Sequence, residues 1–503
     1  MTIQQNKAIE VLCSEPLKHI VDLVINRIDK NVYSVQNSSG KVVYERADGS
    51  NSDFRVVSIE GVDPLRNQDL TAFDSLEEQR KNMFPANSIN HYPHAFERIA
   101  QVFDHKDRPD LIVTHSAAHN FVEKGGYLGE HGSLDIIQSR APFIISGNCV
   151  KNQGIIDGHI KAVDVLPTLL ELIVSSNDQN KLDELAVFKS NMDGRPNKTL
   201  IDSFLKINEI DHVIVFLLDG CNSNILYSMI NSGDLPNLGA LVDNGVALKQ
   251  GTISSFPSVT LANHTSLLTG LHPGHHGVLH NAWWNRENQQ QIVTESPTTW
   301  HTSMQYLNPG VLTGFDILAK LFDEGTTLAI NEFADCGADY STFDLMRNFR
   351  SDILVSAADL NSDPLGFISE KYKDDQEYQL GSSVDHLAVK QFLNILDGNW
   401  DSRHFDLPLF SWINLTLTDV CFHASGPDSK MARSALKDTD KRVGMAINKL
   451  NDKRILDRSL VVVLADHGME ETNPAVKGDW DQALIDSGID FVDESYGFIY
   501  FKD

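Results

Sequence analysis

The apolar positions of this chain fall into two kinds of pattern. Several runs are apolar almost without interruption and end abruptly at polar residues or glycine: RPDLIVTHS (108–116), APFIISG (141–147), DHVIVFLLDG (211–220), LFSWINLTLTD (409–419) and SLVVVLADHG (459–468). A strand covered on both faces reads this way, whereas a strand with one wet face alternates. Other stretches repeat their apolar residues every three to four positions: HAFERIAQVF (94–103), VDVLPTLLELIV (163–174, introduced by Asp164), NSNILYSMINSG (222–233), FDILAKLFDEG (315–325) and SSVDHLAVKQFLNIL (382–396). That spacing predicts helices. Buried strand followed by helix, repeated through ALVDNGVALKQG (240–251), predicts an α/β fold: a doubly wound, mostly parallel central sheet with helices on both faces.

The ends of the chain read differently. Residues 17–28 predict a helix, and VYSVQ and KVVYER, separated by SSG (38–40), predict a hairpin. Residues 175–210 are polar and mixed and predict a linker or surface segment. Between about 283 and 400, WWNRENQQQ and SPTTWHTSMQYLNPG are rich in aromatics and amides, and part of this stretch is expected to form a cap over a site. No short repeat and no low-complexity tract interrupts the chain.

Composition narrows the choice of partner. The 503 residues allow one large domain with an insertion or two to three ordinary domains. Sixty-nine acidic against forty-two basic residues give a formal charge of −27. That field repels polyphosphates, so neither a nucleic-acid polymer nor an anionic membrane is an expected partner, while a small anionic substrate can still bind where local cations prevail. Composition therefore leaves a small molecule as the expected partner, and the oligomeric state is left open. No basic segment precedes a long apolar one and no run nears eighteen apolar residues, so the expected location is cytoplasmic. The five cysteines are scattered, with no CxxC, and give no disulfide framework and no thiolate metal site.

Candidate chemistry gathers where the apolar runs stop. Three of them end in aspartate, at Asp219, Asp419 and Asp466, and His423 and His467 lie close by. An Asp-Gly after a strand is more often a turn than a ligand, and a lone Asp-x-x-x-His is as often surface as ligand. Together at one edge of a sheet, carboxylates and imidazoles make a ligand set for a pair of divalent cations, most simply zinc, with manganese able to occupy the same set. Active groups of such sheets sit at the carboxyl ends of strands, and there a hydroxyl-bearing loop, FPSVTLANHTSLLTGLHPGHHG (256–277), enters the same region.

These residues resemble the alkaline phosphatase superfamily, within it the type I phosphodiesterase and nucleotide pyrophosphatase branch. FPSVTLANHTSLLTG resembles the nucleophile loop, which puts Thr260 at the nucleophile position and Asn263 at the position that binds a phosphoryl oxygen. DVCFHASGP resembles the Asp-x-x-x-His-x-x-Gly-Pro ligand motif, LADHG the Asp-His-Gly motif and LLDG the first metal aspartate. The resemblance implies one cation held by Asp219, Thr260, Asp466 and His467, and a second held by Asp419, His423 and one more histidine. It also implies a small phosphorylated substrate, a phosphate ester hydrolysed through a phosphothreonyl intermediate. The remaining histidine normally follows Asp-His-Gly, but no histidine occurs after His467. GEHGSLD (129–135), followed by AVDVLPTLLELI and MDGRP, resembles the superfamily's closing segment, with His131 in the His-Gly position. The implied arrangement is a circular permutation: residues 1–205 correspond to the usual last part and supply His131, and residues 206–503 carry the nucleophile and most ligands. The bland alternative is an unrelated N-terminal domain with an ordinary loop histidine.

His264, His272, His275 and His276 read as packing or surface groups; His280, Asn281 and Trp283 are candidate substrate contacts, although paired tryptophans more often pack a cap. NEFADCGADYSTFD (331–344) receives no role. A phosphomonoesterase or a phosphonoacetate-type phosphonate hydrolase is the nearest alternative. No Cys- or Ser-x-Pro-x-Arg surrounds the nucleophile position, which disfavours a sulfatase. An inactive binding protein that keeps the fold is the alternative from another class.

Overall fold

In the computed structural model four of the five uninterrupted apolar runs lie side by side in one eight-stranded sheet, and the fifth, RPDLIVTHS, forms Leu111–His115 in a second, antiparallel sheet. The order of the eight-stranded sheet is Tyr340–Ser341, Thr326–Ile330, Pro408–Leu415, His212–Leu218, Ser459–Leu464, Phe143–Ser146, Gly245–Leu248 and Gly154–Ile156. All neighbours are parallel except those of Phe143–Ser146, which is antiparallel on both sides. The structure describes residues 2–81, 90–122, 125–202, 210–296, 299–322, 325–347, 372–400 and 403–502.

Both faces of this sheet are covered, which explains the lack of alternation in the sequence. Val213, Val215 and Leu217 face one core together with Leu460, Val462 and Leu464. Ile214, Phe216 and Leu218 face the other together with Val461 and Val463. Each such side chain, fully buried, contributes roughly 1.5–3 kcal/mol relative to exposure, so no position in these strands tolerates a polar residue cheaply.

A second sheet joins the two ends of the chain. Its seven antiparallel strands run in the order Phe491–Ser495, Phe498–Phe501, Leu111–His115, Val21–Asp29, Val32–Asn37, Gly40–Arg46 and Phe54–Gly61. The helix Ile3–Leu12, opened by a Thr2/Gln5 capping box, packs Ala8, Ile9 and Leu12 against Trp480 and Leu484. The N-terminal segment is therefore threaded into both sheets rather than set apart.

Three expectations need correction. Residues 17–28 were expected as a helix, but Val21–Asp29 is a strand. A short apolar run such as VDLVI fits either period, and pairing with Leu111–His115 decides it. Asp419 does not end a strand: Pro408–Leu415 stops earlier, and Asp419 opens the helix Leu417–Ser425 with His423 one turn later. Much of the stretch expected as a cap is scaffold, because Thr326–Ile330 pairs with Pro408–Leu415 and the helix Gln376–Leu396 buries Ala388, Val389, Phe392 and Ile395 against the sheet. The hairpin Ala282–Asn285 and Gln290–Val293 and the turn Trp300–Tyr306 remain as peripheral elements; residues 348–371 lie outside the described residues.

Candidate metal centre and nucleophile

Local chain geometry delivers each group to the carboxyl ends of the central strands. Asp219 follows His212–Leu218 and is succeeded by Gly220 at φ 63°. A Cβ on Gly220 would stand 2.4 Å from Asp419 Oδ1, so glycine lets the two carboxylates approach. The Gly220 N–H also donates to Asp466 Oδ1 at 3.1 Å. The Asp-Gly pair is thus both a turn and the hinge of a carboxylate cluster.

Thr260 is the first residue of the helix Thr260–Thr269; the capping position is Val259, whose side chain cannot cap it. The Thr260 hydroxyl is therefore not spent on capping. Its Oγ1 lies 3.3 Å from His467 Nε2, and His467 Nε2 lies 3.1 Å from Asp466 Oδ2. On the other side His423 Nε2 is 3.5 Å and His131 Nε2 4.0 Å from Asp419 Oδ1. The His131 ring stacks on His467 at 3.8 Å and lies 4.9 Å from His423.

All three imidazoles are aimed by their other nitrogen. His467 Nδ1 meets the Gly468 carbonyl at 2.9 Å, His423 Nδ1 the Gly129 carbonyl at 2.7 Å, and His131 Nδ1 the Ser258 carbonyl at 2.8 Å. Each contact fixes an Nδ1–H tautomer and leaves the Nε2 lone pair facing the carboxylates, as a metal-ligating imidazole requires. The interlock is tight: a Cβ on Gly468 would stand 2.2 Å from the Ile137 carbonyl oxygen, in the N-terminal segment.

The electrostatics call for cations. Burial pushes Asp466 up to about 7, and burial with Asp466 beside it raises Asp219. Burial and the Asp219 charge raise Asp419 as well, against the opposing pull of His423. Burial and the neighbouring His467 and His423 push His131 well below its ordinary range, and burial lowers His467. Asp219 Oδ1, Asp419 Oδ1 and Asp466 Oδ2 have no hydrogen-bond partner, and among the described residues no lysine or arginine pairs with these carboxylates. Orphaned buried carboxylate oxygens beside imidazole lone pairs fit divalent cations of the zinc class. His131, Asp419 and His423 form one group with mutual distances within 4.8 Å; Asp219, Asp419 and His467 form a second, and Asp219, His264 and Asp466 a third.

Other expected site residues fare differently. Asn263 is fully buried, and its carboxamide is spent inside the loop: Oδ1 accepts from Ser255 N, and Nδ2 donates to the Pro257 and Val259 carbonyls. It braces the loop and does not face a substrate, which corrects its expected role. The amide that does reach the first turn of the nucleophile helix is Asn281, whose Oδ1 accepts from Leu261 N at 3.2 Å. His280 is 3 % exposed and stacks on Tyr496 at 5.8 Å. Trp283 is 1 % exposed and packs edge-on against Tyr306, so it is core and not a stacking platform for substrate. His264, expected as a packing or surface group, and Glu332, in a stretch given no role, both lie against the centre. The signal available was the i, i+4 spacing of Thr260 and His264, which places both on one face of the helix.

A doubly wound sheet thus gathers a hydroxyl, three carboxylates and three oriented imidazoles beside the carboxyl ends of its strands. The chain belongs to the type I phosphodiesterase / nucleotide pyrophosphatase family, whose sequence model matches residues 213–502. Among curated relatives, an uncharacterized pyrophosphatase/phosphodiesterase of Schizosaccharomyces pombe is 26% identical over 267 residues, 52% of this chain and 45% of that protein. Ectonucleotide pyrophosphatase/phosphodiesterase family member 3 of Mus musculus is 24% identical over 265 residues, 53% of this chain and 26% of that protein. The chain thus spans less than half the length of either relative. A solved structure of murine ectonucleotide pyrophosphatase/phosphodiesterase 5 superposes with a TM-score of 0.36 at 18% identity, covering 52% of this chain and 57% of that one. Among the described residues no helix is long and apolar enough to cross a membrane.

Proposed function

We propose that this chain is a two-metal hydrolase of small phosphate esters, a phosphodiesterase or nucleotide pyrophosphatase, with Thr260 as its nucleophile. The observation that carries the reading is the uncapped Thr260 hydroxyl, 3.3 Å from an imidazole within a cluster of unpaired carboxylates. Family membership over residues 213–502 agrees with it. Asp219, Asp466, His467 and Thr260 would hold one cation; Asp419, His423 and His131 would hold the other. When bound, such cations lower the pKa of a coordinated hydroxyl or water and draw charge from a phosphoryl oxygen.

The chain's own groups then act as follows. Thr260 Oγ forms the new bond to phosphorus in line with the leaving oxygen, which departs with the bond's electron pair. Water displaces Thr260 from the phosphothreonyl intermediate and restores the hydroxyl. The positive end of the dipole at the start of Thr260–Thr269 favours the phosphoryl anion. Asn281, whose Oδ1 accepts from the Leu261 amide next to Thr260, would offer its remaining carboxamide N–H to a phosphoryl oxygen. Thr260, Asp419 and His423 keep partial exposure, which is where substrate would enter.

The absence of any lysine or arginine paired to the centre, among the described residues, favours a singly charged diester over a dianionic monoester or a phosphonate. Purified protein should contain divalent metal and hydrolyse bis-p-nitrophenyl phosphate or a nucleotide p-nitrophenyl ester faster than p-nitrophenyl phosphate. A preference for the monoester would replace the diester reading, and absence of both metal and hydrolysis would favour an inactive binding protein.

The same reading extends to chain order. Residues 1–205 are proposed to be the permuted closing part of the catalytic domain and residues 206–503 its main part. Support comes from His131 lying 4.0 Å from Asp419, and from the strand Phe498–Phe501 pairing with Leu111–His115.

A further inference from the structure

The nucleophile helix brings a second group to the centre. His264, one turn after Thr260, is fully buried. Its Nδ1 lies 3.0 and 2.9 Å from the two oxygens of Glu332, which is fully buried as well. Its Nε2 has no hydrogen-bond partner and lies 3.7 Å from both Asp219 Oδ2 and Asp466 Oδ2. That separation is too long for a hydrogen bond, so the ring stands beside the two carboxylates without consuming the lone pairs a cation needs.

The chain around Glu332 is shaped for this contact. Just past Thr326–Ile330, Asn331 turns the backbone at φ 52°, a left-handed conformation that asparagine tolerates better than other non-glycine residues. Its N–H donates to Thr342 Oγ1 and its carbonyl accepts from Asn414 Nδ2. Glu332 Oε1 also takes the Ala334 N–H at 2.9 Å, and Phe333 closes edge-on over the His264 ring at 5.0 Å. A fully buried carboxylate costs several kcal/mol unless it is partnered, and simple packing would be met more cheaply by an apolar residue.

We propose that His264, backed by Glu332, is a positioning residue that holds the Oδ2 atoms of Asp219 and Asp466 in place for the cation on the Thr260 side. This rests on the two-cation reading above. Carboxylate-oriented imidazoles around metal ligands typically change affinity or activity by about 10–100-fold when their partner is lost.

The test titrates metal-free protein with Zn2+ and follows kcat and KM separately. Glu332→Gln keeps the volume and removes the charge. It should weaken one of the two sites about tenfold or more, with two cations still bound at saturation, and lower kcat with little change in KM. His264→Gln should retain more affinity than His264→Leu. Phe333→Leu, which loosens the ring's packing but leaves the carboxylate, should lower Tm and spare cation affinity. The proposal is overturned if Glu332→Gln binds and turns over as wild type does, or if Phe333→Leu loses as much affinity. A wild-type protein that binds no cation would instead defeat the two-cation reading itself.

Discussion

On the Thr260 side of the centre, all four candidate ligands lie between residues 219 and 467, and Asp219, Asp466 and His467 sit directly past the ends of adjacent central strands. On the other side, Asp419 and His423 share one helix while His131 arrives from the N-terminal segment. The contacts that aim the imidazoles differ in the same way. His467 is aimed by the carbonyl of the next residue, whereas His423 takes the carbonyl of Gly129 and His131 that of Ser258. Three of the four groups on one side are therefore placed by strand ends, and the fourth, Thr260, by the start of a helix. The other side exists only while residues 1–205 remain docked on the rest of the chain, so damage to that docking should reach the His131 side first.

The largest effect should come from the Thr260 side. Thr260→Ala removes the proposed attacking oxygen and is expected to lower kcat by at least ~10³-fold, with the fold and most bound metal kept. Steady-state assays on a diester with parallel metal analysis would check it, and substantial residual turnover would remove Thr260 from the mechanism.

The two asparagines of the loop region sharpen the contrast between support and chemistry. Asn281→Ala should cost about 10²-fold in kcat, as loss of a preorganised donor does, with little change in Tm. Asn263→Ala should do the reverse: stability falls by about 1–3 kcal/mol because Ser255 N–H and two carbonyls lose their partner, while kcat stays within a few-fold of wild type. Thermal melts and assays on the same preparations separate the two, and a large kcat loss in Asn263→Ala at normal Tm would restore the role expected from sequence.

A smaller, pH-dependent effect probes the docking. His275, past the nucleophile helix, lies 3.0 Å from Asp104 and 2.7 Å from Asp193, both in the N-terminal segment. Burial opposes its charge, but the two carboxylates outweigh it and raise the imidazole to about 9. A histidine in the unfolded chain titrates near 6.5, so the stabilisation is complete below about pH 6.5 and is lost as pH rises through about 9. His275→Gln should therefore lower unfolding free energy by about 3 kcal/mol at pH 6 and hardly at all at pH 10. Denaturant unfolding at the two pH values reads this, and an equal loss at both would mean that packing, not charge, is what His275 supplies.

The same contrast governs what the sequence revealed. Uninterrupted runs such as VIVFLL and LVVVL announce two-faced burial, and so the doubly wound sheet, because nothing but a covered strand needs apolar residues at every position. Groups placed within a residue or two of a strand end, such as Asp219 and Asp466, inherit their location from that strand. Direction at longer reach was not legible. Asn263, three residues into the helix, points back into its own loop, and Glu332 reaches His264 only because Asn331 takes a left-handed turn. VDLVI fits a helix as well as a strand, and only its pairing with Leu111–His115 decides between them. His131 was singled out in the sequence by the lack of a histidine downstream of His467, but the contact that aims it joins residues more than a hundred positions apart.

Cation stoichiometry of the His131→Ala variant tests most directly whether both ends of the chain build one two-cation centre. Titrated with Zn2+ to saturation, wild-type protein should bind two ions per chain. The variant should bind one, on the Thr260 side, and its diesterase activity should fall about 100-fold with its melting temperature little changed. Two ions per chain and wild-type turnover in His131→Ala would contradict the account.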